Sequence, residues 1–307
     1  MLYGLPEERQ MKYTGTTYRP PFEANSLLLQ VTRGCSHNSC AFCTMYRGTP
    51  FGEETMEQIE RDIEEASRMN LNTHRAFLVN GDAFVLPAQK LARIAEMIGE
   101  KLPQIRTIAM YASIRNIQDK TDAELRMLRE LGIDQLNIGV ESGMDSVLEY
   151  MNKGYTAAEA KAELLRLKKA GFDPALNIIF GAAGSGMQAE HAAKTAQLVN
   201  DVQPFLIFTG TVHTEPGCPL YDAMLEGMFV ENTIGEYLEE EERFIEALEL
   251  ERCFYFGLHP SNVIQMQGWL PEDKEDMLQA VRKTRQDMKR ILDKRPIRAG
   301  EGAIIAV

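Results

Sequence analysis

Short apolar segments alternate with helix-forming segments six times between residues 26 and 212. Helix starts are marked by capping boxes at Thr55, Thr121 and Thr156, each just before an apolar stripe. Strands joined by helices in this way pair in parallel, and successive right-handed crossovers curl the sheet. The predicted fold is therefore α/β, a partial (β/α)6 parallel barrel. The predicted strands cover residues 26–31, 75–80, 105–113, 135–140, 175–180 and 205–212.

The end of this alternation divides the chain into three predicted parts. Residues 1–25 form an irregular lead-in, residues 26–220 form the barrel, and residues 221–307 form a mostly helical C-terminal extension that covers it. Within the extension, the run Glu239-Glu240-Glu241-Glu242 is predicted to be a solvated helix face, as most charge runs are. Helices are predicted within 219–252 and 271–293, and a terminal strand at 302–307.

The composition narrows the classes of partner. A net charge of −12 disfavours nucleic acid, which needs concentrated Lys and Arg. Five cysteines, three of them clustered, indicate a reducing compartment and a metal site rather than a disulfide framework. The N-terminus lacks the pattern of a signal peptide, and no apolar run approaches the roughly 18 residues of a membrane helix. We expect a cytoplasmic protein that does not bind membranes.

The clustered thiols are Cys35, Cys40 and Cys43, in the spacing C-x4-C-x2-C directly after the first predicted strand. Three thiolates this close can bind one soft metal centre. Iron–sulfur clusters usually take four cysteines, so three ligands leave one iron open for a substrate or cofactor. A structural zinc site would need four closed ligands. His37 could be the fourth ligand of such a site, an acid or base that acts on the substrate, or an ordinary loop residue.

The triplet, with Phe42 directly before its last cysteine, resembles the cluster loop of radical S-adenosylmethionine (SAM) enzymes. The commonest loop of that superfamily has three residues in the first gap, whereas this chain has four. The resemblance implies a [4Fe–4S] cluster on Cys35, Cys40 and Cys43, with SAM on the open iron. Reductive cleavage of SAM would then give a 5′-deoxyadenosyl radical that abstracts hydrogen from a substrate.

Segments after other predicted strands carry residues that would lie on the same rim, because sites in such folds form at the carboxyl ends of strands. Gly81 and Asp82 resemble the family's Gly-Gly-Glu segment, which meets the methionine ammonium. Asn-Gly-Asp is also an ordinary turn composition. Glu141 and Lys153 resemble the SAM-binding positions of anaerobic coproporphyrinogen oxidases, methylthiotransferases and their relatives. Otherwise, Glu141 is an acid at a helix N-terminus and Lys153 a solvated lysine.

The remaining SAM candidates follow from the same resemblance. Asn177, in the fifth predicted strand, corresponds to a residue that binds the ribose, and Phe42 to an aromatic against the adenine. Ser113 and Arg115, at the end of the third strand, are further candidates to contact SAM.

Substrate-side residues are less constrained. His213 and His259 follow strand-like segments and are candidates to bind substrate or transfer protons, with satisfied structural histidines as the alternative. Cys218 and Cys253 are isolated and are predicted to pack in the core.

The sequence therefore predicts a radical SAM enzyme with a small-molecule substrate and a one-electron donor such as flavodoxin or ferredoxin. A non-catalytic iron–sulfur or zinc-binding protein is the alternative from another class. A hydrolase or aldolase-like (β/α) enzyme with an incidental cysteine loop is the second alternative.

Overall fold

The computed structural model describes residues 11–69 and 71–296, and the predicted strand at 302–307 lies outside them. The alternation of strand and helix is confirmed throughout the predicted barrel. The strands are β1 (Leu27–Gln30), β2 (Thr32–Arg33), β3 (Gly52–Glu53), β4 (Arg75–Val79), β5 (Thr107–Ala112), β6 (Ile133–Glu141), β7 (Asp173–Phe180), β8 (Leu206–Thr211), β9 (Cys253–Phe256) and β10 (Gln267–Leu270). The helices are α1 (Met56–Arg68), α2 (Ala88–Lys101), α3 (Ile114–Gln118), α4 (Asp122–Glu130), α5 (Asp145–Tyr150), α6 (Ala157–Lys169), α7 (Gln188–Val202), α8 (Pro219–Leu225), α9 (Ile234–Ala247) and α10 (Lys274–Asp287).

One eight-stranded sheet runs in the order β1-β4-β5-β6-β7-β8-β9-β10. Pairing is parallel from β1 through β4 and β5 to β6, and again from β7 through β8 to β9. The predicted mostly parallel α/β fold is thus confirmed. The region after residue 220 also adds two strands, the parallel β9 and the antiparallel β10. Strands β2 and β3 form a separate two-stranded sheet.

Local capping explains where several helices begin. Thr121 caps α4 in a complete capping box with Glu124, as predicted, because each side chain satisfies a backbone N–H of the first turn. Ser113 and Asn116 form an unpredicted capping box that starts the short helix α3. The predicted helix at 219–252 is divided into α8 and α9, and the helix predicted from Pro271 begins at Lys274.

The chain divides into two compact units. Among the described residues, the first comprises 11–38, 46–69, 71–138 and 166–174, and the second 39–45, 139–165 and 175–296. The first unit contains a fully buried cluster of Phe77, Val79 and Ala109, against which Tyr111 packs. The predicted division at residue 220 stays a prediction. No helix in the described residues is both long and apolar enough to span a membrane.

The prediction that Glu239–Glu242 form a solvated face is wrong for its two central residues. Glu240 and Glu241 are only 1% and 3% exposed, because α9 packs against both α7 and α10. Glu239 lies at the surface, as predicted, and forms an ion pair with Arg243 there. Buried carboxylates need partners, and Glu241 accepts a hydrogen bond of 2.6 Å from the hydroxyl of Tyr255.

Replacing Glu241 should change how stability depends on pH. Burial raises the pKa of Glu241 to about 8, although the hydrogen bond from Tyr255 opposes this rise. The unfolded carboxyl titrates near about 4.3. Between the two values the folded state binds the extra proton, so the free energy of unfolding falls as pH rises through this window. Glu241→Gln removes this titration. Between about pH 5 and about pH 8, the difference in free energy of unfolding between Glu241→Gln and the parent protein should shift in favour of the variant by at least about 1 kcal/mol.

Urea denaturation at both pH values measures this change. Glu239→Gln, on the exposed side of the same helix, is the control and should show no such pH-dependent difference. An equal effect of Glu241→Gln at both pH values would contradict a titrating Glu241.

Candidate active site

The three clustered cysteines are partly exposed, whereas Cys218 and Cys253 are buried as predicted. Among residues 11–69 and 71–296, no three His, Cys, Asp or Glu side chains converge to hold one metal ion. The three partly exposed cysteines lie within nine residues of one loop, a spacing that can serve an iron–sulfur cluster.

In the first unit, the segment that carries Cys35 is held by the turn after β4. Ser36 donates its backbone N–H to Asp82 Oδ1 (2.9 Å) and its hydroxyl to Asp82 Oδ2 (2.5 Å). Asp82 is 5% exposed. Its carboxylate therefore fixes the residue directly after the first cysteine, a contact that the sequence did not indicate.

Gly81, beside Asp82, allows a close approach of two backbone segments. Its φ is +45°, and a Cβ there would lie 2.0 Å from the Gly34 carbonyl oxygen and 2.8 Å from Cys35 Cα. The Gly81 N–H donates to the hydroxyl oxygen of Tyr46 at 3.0 Å. Only glycine fits this position, because any side chain would push the Cys35 segment away.

Gly81→Ala should therefore displace Cys35. We expect a loss of at least about 2 kcal/mol in the free energy of unfolding, from the left-handed backbone and the clash together. Iron bound after anaerobic reconstitution should fall as well. Gly227→Ala is the matched control, since Gly227 has φ +75° and open space around its Cβ position. Equal losses of iron in the two variants would contradict a specific role of Gly81.

In the second unit, an ion pair lies beside the other two cysteines. Lys153 Nζ is 3.0 Å from Glu141 Oε1, and the two side chains are only 10% and 9% exposed. Lys153 Nζ also lies 5.9 Å from the ring centre of Phe42. Two of the predicted SAM-binding residues, Glu141 and Lys153, therefore form an ion pair next to Phe42 of the cysteine loop.

The charges of this pair reach the thiols. Burial raises the pKa of Cys43; Cys40 and Glu141 also raise it, whereas Lys153 lowers it. Burial alone would lower the pKa of Lys153. The attraction of Glu141 is the largest of the opposing effects, and together these hold the pKa of Lys153 well above its ordinary value. Lys153 thus remains a cation at neutral pH. Because metal binds thiolates, loading this site is coupled to loss of the Cys43 proton.

Glu141 has an unusual backbone. Its φ is +68° at the end of β6, a left-handed conformation that is uncommon for a residue other than glycine. Such strained residues concentrate at functional sites. This supports a role for Glu141 beyond that of a helix N-terminal acid.

The segment before Lys153 also supports the cysteine loop. The Asn152 amide donates to the Ser39 carbonyl oxygen at 2.9 Å, and Ala41 N–H donates to the Met151 carbonyl oxygen at 3.0 Å. Sequence reasoning missed these contacts. The left-handed φ of Asn152 at +55° has a sequence signal, since Asn before Lys-Gly suits such a turn.

The other SAM candidates lie in different environments. Asn177 is half-buried on β7 and pairs in register with Phe208 of β8. In the first unit, the Ser113 hydroxyl caps α3 by accepting the N–H of Asn116, and Arg115 is exposed on that helix.

The histidine candidates lie in the second unit. His213 Nε2 is 3.4 Å from Glu215 Oε1, and Glu215 also accepts a 2.8 Å hydrogen bond from Thr44, the residue after Cys43. His259 Nδ1 lies 2.6 Å from Ser261 Oγ, and burial, with a contribution from His213, lowers its pKa. His259 is therefore held neutral, as a proton acceptor or hydrogen-bonding group would be.

Comparison with known proteins identifies one family. A family profile described as "Radical SAM superfamily" matches residues 29–199, which include all three cysteines, Glu141 and Lys153. The C-x4-C-x2-C spacing is compatible with this assignment.

Two curated relatives are distant in sequence. The heme chaperone HemW of Lactococcus lactis subsp. lactis is 25% identical over 174 residues, covering 56% of this chain and 43% of that protein. The tRNA-2-methylthio-N(6)-dimethylallyladenosine synthase of Neisseria meningitidis serogroup A is 24% identical over 267 residues, covering 80% of this chain and 58% of that protein. The chain thus spans about half the length of the curated relatives it matches.

Among solved structures, methylornithine synthase (PylB) superposes with a TM-score of 0.53 at 16% identity, covering 73% of this chain and 63% of that one. The likeness confirms the predicted partial-barrel fold.

Proposed function

The chain belongs to the radical SAM superfamily, and from this premise we propose that it removes a hydrogen atom from a small-molecule substrate. It is a radical SAM enzyme, whose family uses a [4Fe–4S] cluster and SAM as cofactors. When bound, these cofactors supply the one-electron cleavage of SAM and the 5′-deoxyadenosyl radical, which is cofactor chemistry rather than protein chemistry.

Cys35, Cys40 and Cys43 are proposed to hold the cluster. All three residues are partly exposed, unlike Cys218 and Cys253. The tether from Ser36 to Asp82 and the bond from Asn152 to Ser39 restrict the backbone between Cys35 and Cys40, next to each of these cysteines. Such restraint lowers the conformational entropy lost when the ligands bind.

The observation that carries the proposal is the nearly buried Lys153–Glu141 pair beside Phe42. Lys153 has three N–H donors; one serves Glu141 and another faces the Tyr155 hydroxyl. The ammonium group of Lys153 is proposed to bind the carboxylate of SAM, while Glu141 and Asp82 attract the ammonium group of SAM. Opposite charges attract strongly at so shielded a site. Asn177, Ser113, Arg115 and Gly81 complete the proposed SAM contacts, with Phe42 against the adenine.

A small molecule is the proposed substrate because the net charge of −12 opposes the approach of a polyanion such as RNA. His213 and His259 are proposed to face it. Radical SAM enzymes also need an electron donor, and we propose a flavodoxin or ferredoxin for this role.

The test uses protein reconstituted anaerobically with iron and sulfide, then supplied with SAM and dithionite. Extract of the source organism grown in heavy water is separated into small molecules, RNA and protein. We expect 5′-deoxyadenosine to form and to gain deuterium, read by mass spectrometry, from the small-molecule fraction. Deuterium from RNA alone would contradict the proposed substrate class, and no 5′-deoxyadenosine from cluster-loaded protein would contradict hydrogen abstraction.

A further inference from the structure

Three buried side chains of the second unit form a hydrogen-bonded chain. His191 in α7 lies with Nδ1 2.6 Å from Glu240 Oε1 and with Nε2 2.8 Å from Ser142 Oγ. Ser142, His191 and Glu240 are 0%, 1% and 1% exposed. A serine, a histidine and a carboxylate in this order can form a nucleophile. Because the serine is so completely buried, substrate cannot reach it. The hydrogen-bonded chain must therefore have a role other than that of a nucleophile.

The surrounding groups accommodate one direction for each hydrogen bond. Met144 donates its N–H to Ser142 Oγ at 3.0 Å, and the Ser142 hydroxyl can donate its hydrogen to His191 Nε2 when Nδ1 carries the ring hydrogen. The Nδ1–H of His191 then donates to Glu240, which also accepts from the Asn232 amide at 3.0 Å. Each of these bonds has a donor and an acceptor, as buried networks require.

One end of the chain fixes the segment after β6. Ser142 directly follows Glu141, whose left-handed φ of +68° needs support from its neighbours. The next residue, Gly143, donates its N–H to Thr195 Oγ1 at 3.0 Å. Thr195 lies one helical turn from His191 on α7, so two side chains of one helix face bind consecutive residues after Glu141.

The other end fixes the segment after β7. The N–H of Gly181 donates to both carboxylate oxygens of Glu240, at 3.1 and 3.0 Å. Glu240 therefore binds the end of β7 directly and the end of β6 through His191. One buried carboxylate on α9 thus links two adjoining strand ends, including the one that carries Glu141.

We propose that Ser142, His191 and Glu240 are positioning residues that hold Glu141 and the turn at Gly181 in the arrangement that binds SAM. This inference rests on the proposed function, which places SAM at Glu141. The three residues do not touch the cofactor. They act through the backbone by keeping the two segments in a fixed relation, so that binding SAM requires little further ordering.

Two variants and one control test this role. Ser142→Ala removes one hydroxyl at the Glu141 end, and Glu240→Gln removes the charge at the Gly181 end. Glu241→Gln is the matched control, because Glu241 is a buried neighbour on the same helix that binds the side chain of Tyr255 and not the segments after β6 or β7. The measurements are SAM affinity and iron content of the reconstituted enzyme, and hydrogen–deuterium exchange of the cofactor-free protein.

We expect Ser142→Ala and Glu240→Gln each to weaken SAM binding about tenfold, the typical effect of losing one hydrogen bond to a charged network. Amide exchange should quicken at residues 141–146 and 181–185, while iron content stays that of the parent. Glu241→Gln should change neither SAM affinity nor exchange at these segments.

Unchanged SAM affinity in Ser142→Ala and Glu240→Gln would overturn the inference, even if exchange quickened. An equal loss in Glu241→Gln would overturn it too, because the effect would then be general packing. If Glu240→Gln fails to fold, the SAM affinity of Ser142→Ala alone decides whether the inference holds. Failure of the cluster-loaded parent protein to bind SAM would instead refute the proposed function. In that case the exchange data would still report whether Ser142, His191 and Glu240 hold both strand ends.

Discussion

Replacing Cys35, Cys40 and Cys43 together by alanine is expected to abolish the visible absorbance of the reconstituted cluster. Formation of 5′-deoxyadenosine should fall at least about 100-fold, because thiolates are the ligands that hold such clusters. The folded protein should persist, since all three side chains are partly exposed and their removal opens no core cavity. Iron analysis, absorbance and chromatography of the nucleoside product measure the three effects.

The control is the double variant Cys218→Ala and Cys253→Ala, which removes the two buried thiols instead. It should lose some stability through small cavities but keep the cluster and its activity. Retention of the cluster by the triple variant would show that its ligands lie elsewhere, and the central assignment would be wrong.

Lys153→Met is expected to have the second largest effect. It leaves Glu141 as an uncompensated charge at a nearly buried site, which typically costs about 3–5 kcal/mol of stability. It also removes the proposed partner of the SAM carboxylate, so SAM affinity should fall about tenfold to a hundredfold. Iron content should remain that of the parent, since Lys153 is not a ligand. Urea denaturation and SAM titration of the reconstituted enzyme measure the two quantities.

A double variant separates the two effects. Adding Glu141→Gln to Lys153→Met removes the stranded charge, so most of the stability should return while SAM affinity stays low. Lys161→Met is the matched control, because Lys161 forms a comparable pair with Asp201 at a more exposed position, with side chains 43% and 28% exposed. It should cost less than about 1 kcal/mol. Recovery of SAM affinity in the double variant would rule out Lys153 as a partner of SAM.

The Lys153–Glu141 pair should be insensitive to ordinary changes of pH. The folded pKa of Lys153 lies well above the unfolded value, so the contribution of its charge is fully present below about pH 10. That contribution is lost only as pH rises through the raised folded pKa. A decline of SAM affinity between about pH 7 and about pH 9 would therefore point to a group other than Lys153.

The parts of the site that could be predicted are those encoded within a few residues. The spacing of the three cysteines, the capping box of Thr121 and the strand before each turn depend on local sequence, and the structure confirms the strands and that cap. Glu141 and Lys153 could be singled out as site candidates because both fall in one segment with a family resemblance, but their ion pair with each other was not predicted.

Long-range contacts were the parts that could not be predicted. The tether from Ser36 to Asp82 joins two different strand ends, and no pattern within either segment indicates it. Glu240 and Glu241 belong to a run of four acids that predicts a solvated face, yet helices on two sides bury them. Whether a helix face is exposed to solvent depends on which other elements pack against it. The sequence pattern of the helix itself does not contain this information.

The sequence by itself determined the βα alternation, the cysteine spacing and the order of polar residues at successive strand ends, because these depend on propensity and local spacing. Only the tertiary structure decided that Glu141 is paired at a nearly buried site and that Ser142, His191 and Glu240 form one hydrogen-bonded chain. Those features join residues far apart in sequence, and the burial that strengthens their electrostatics exists only once the helices pack.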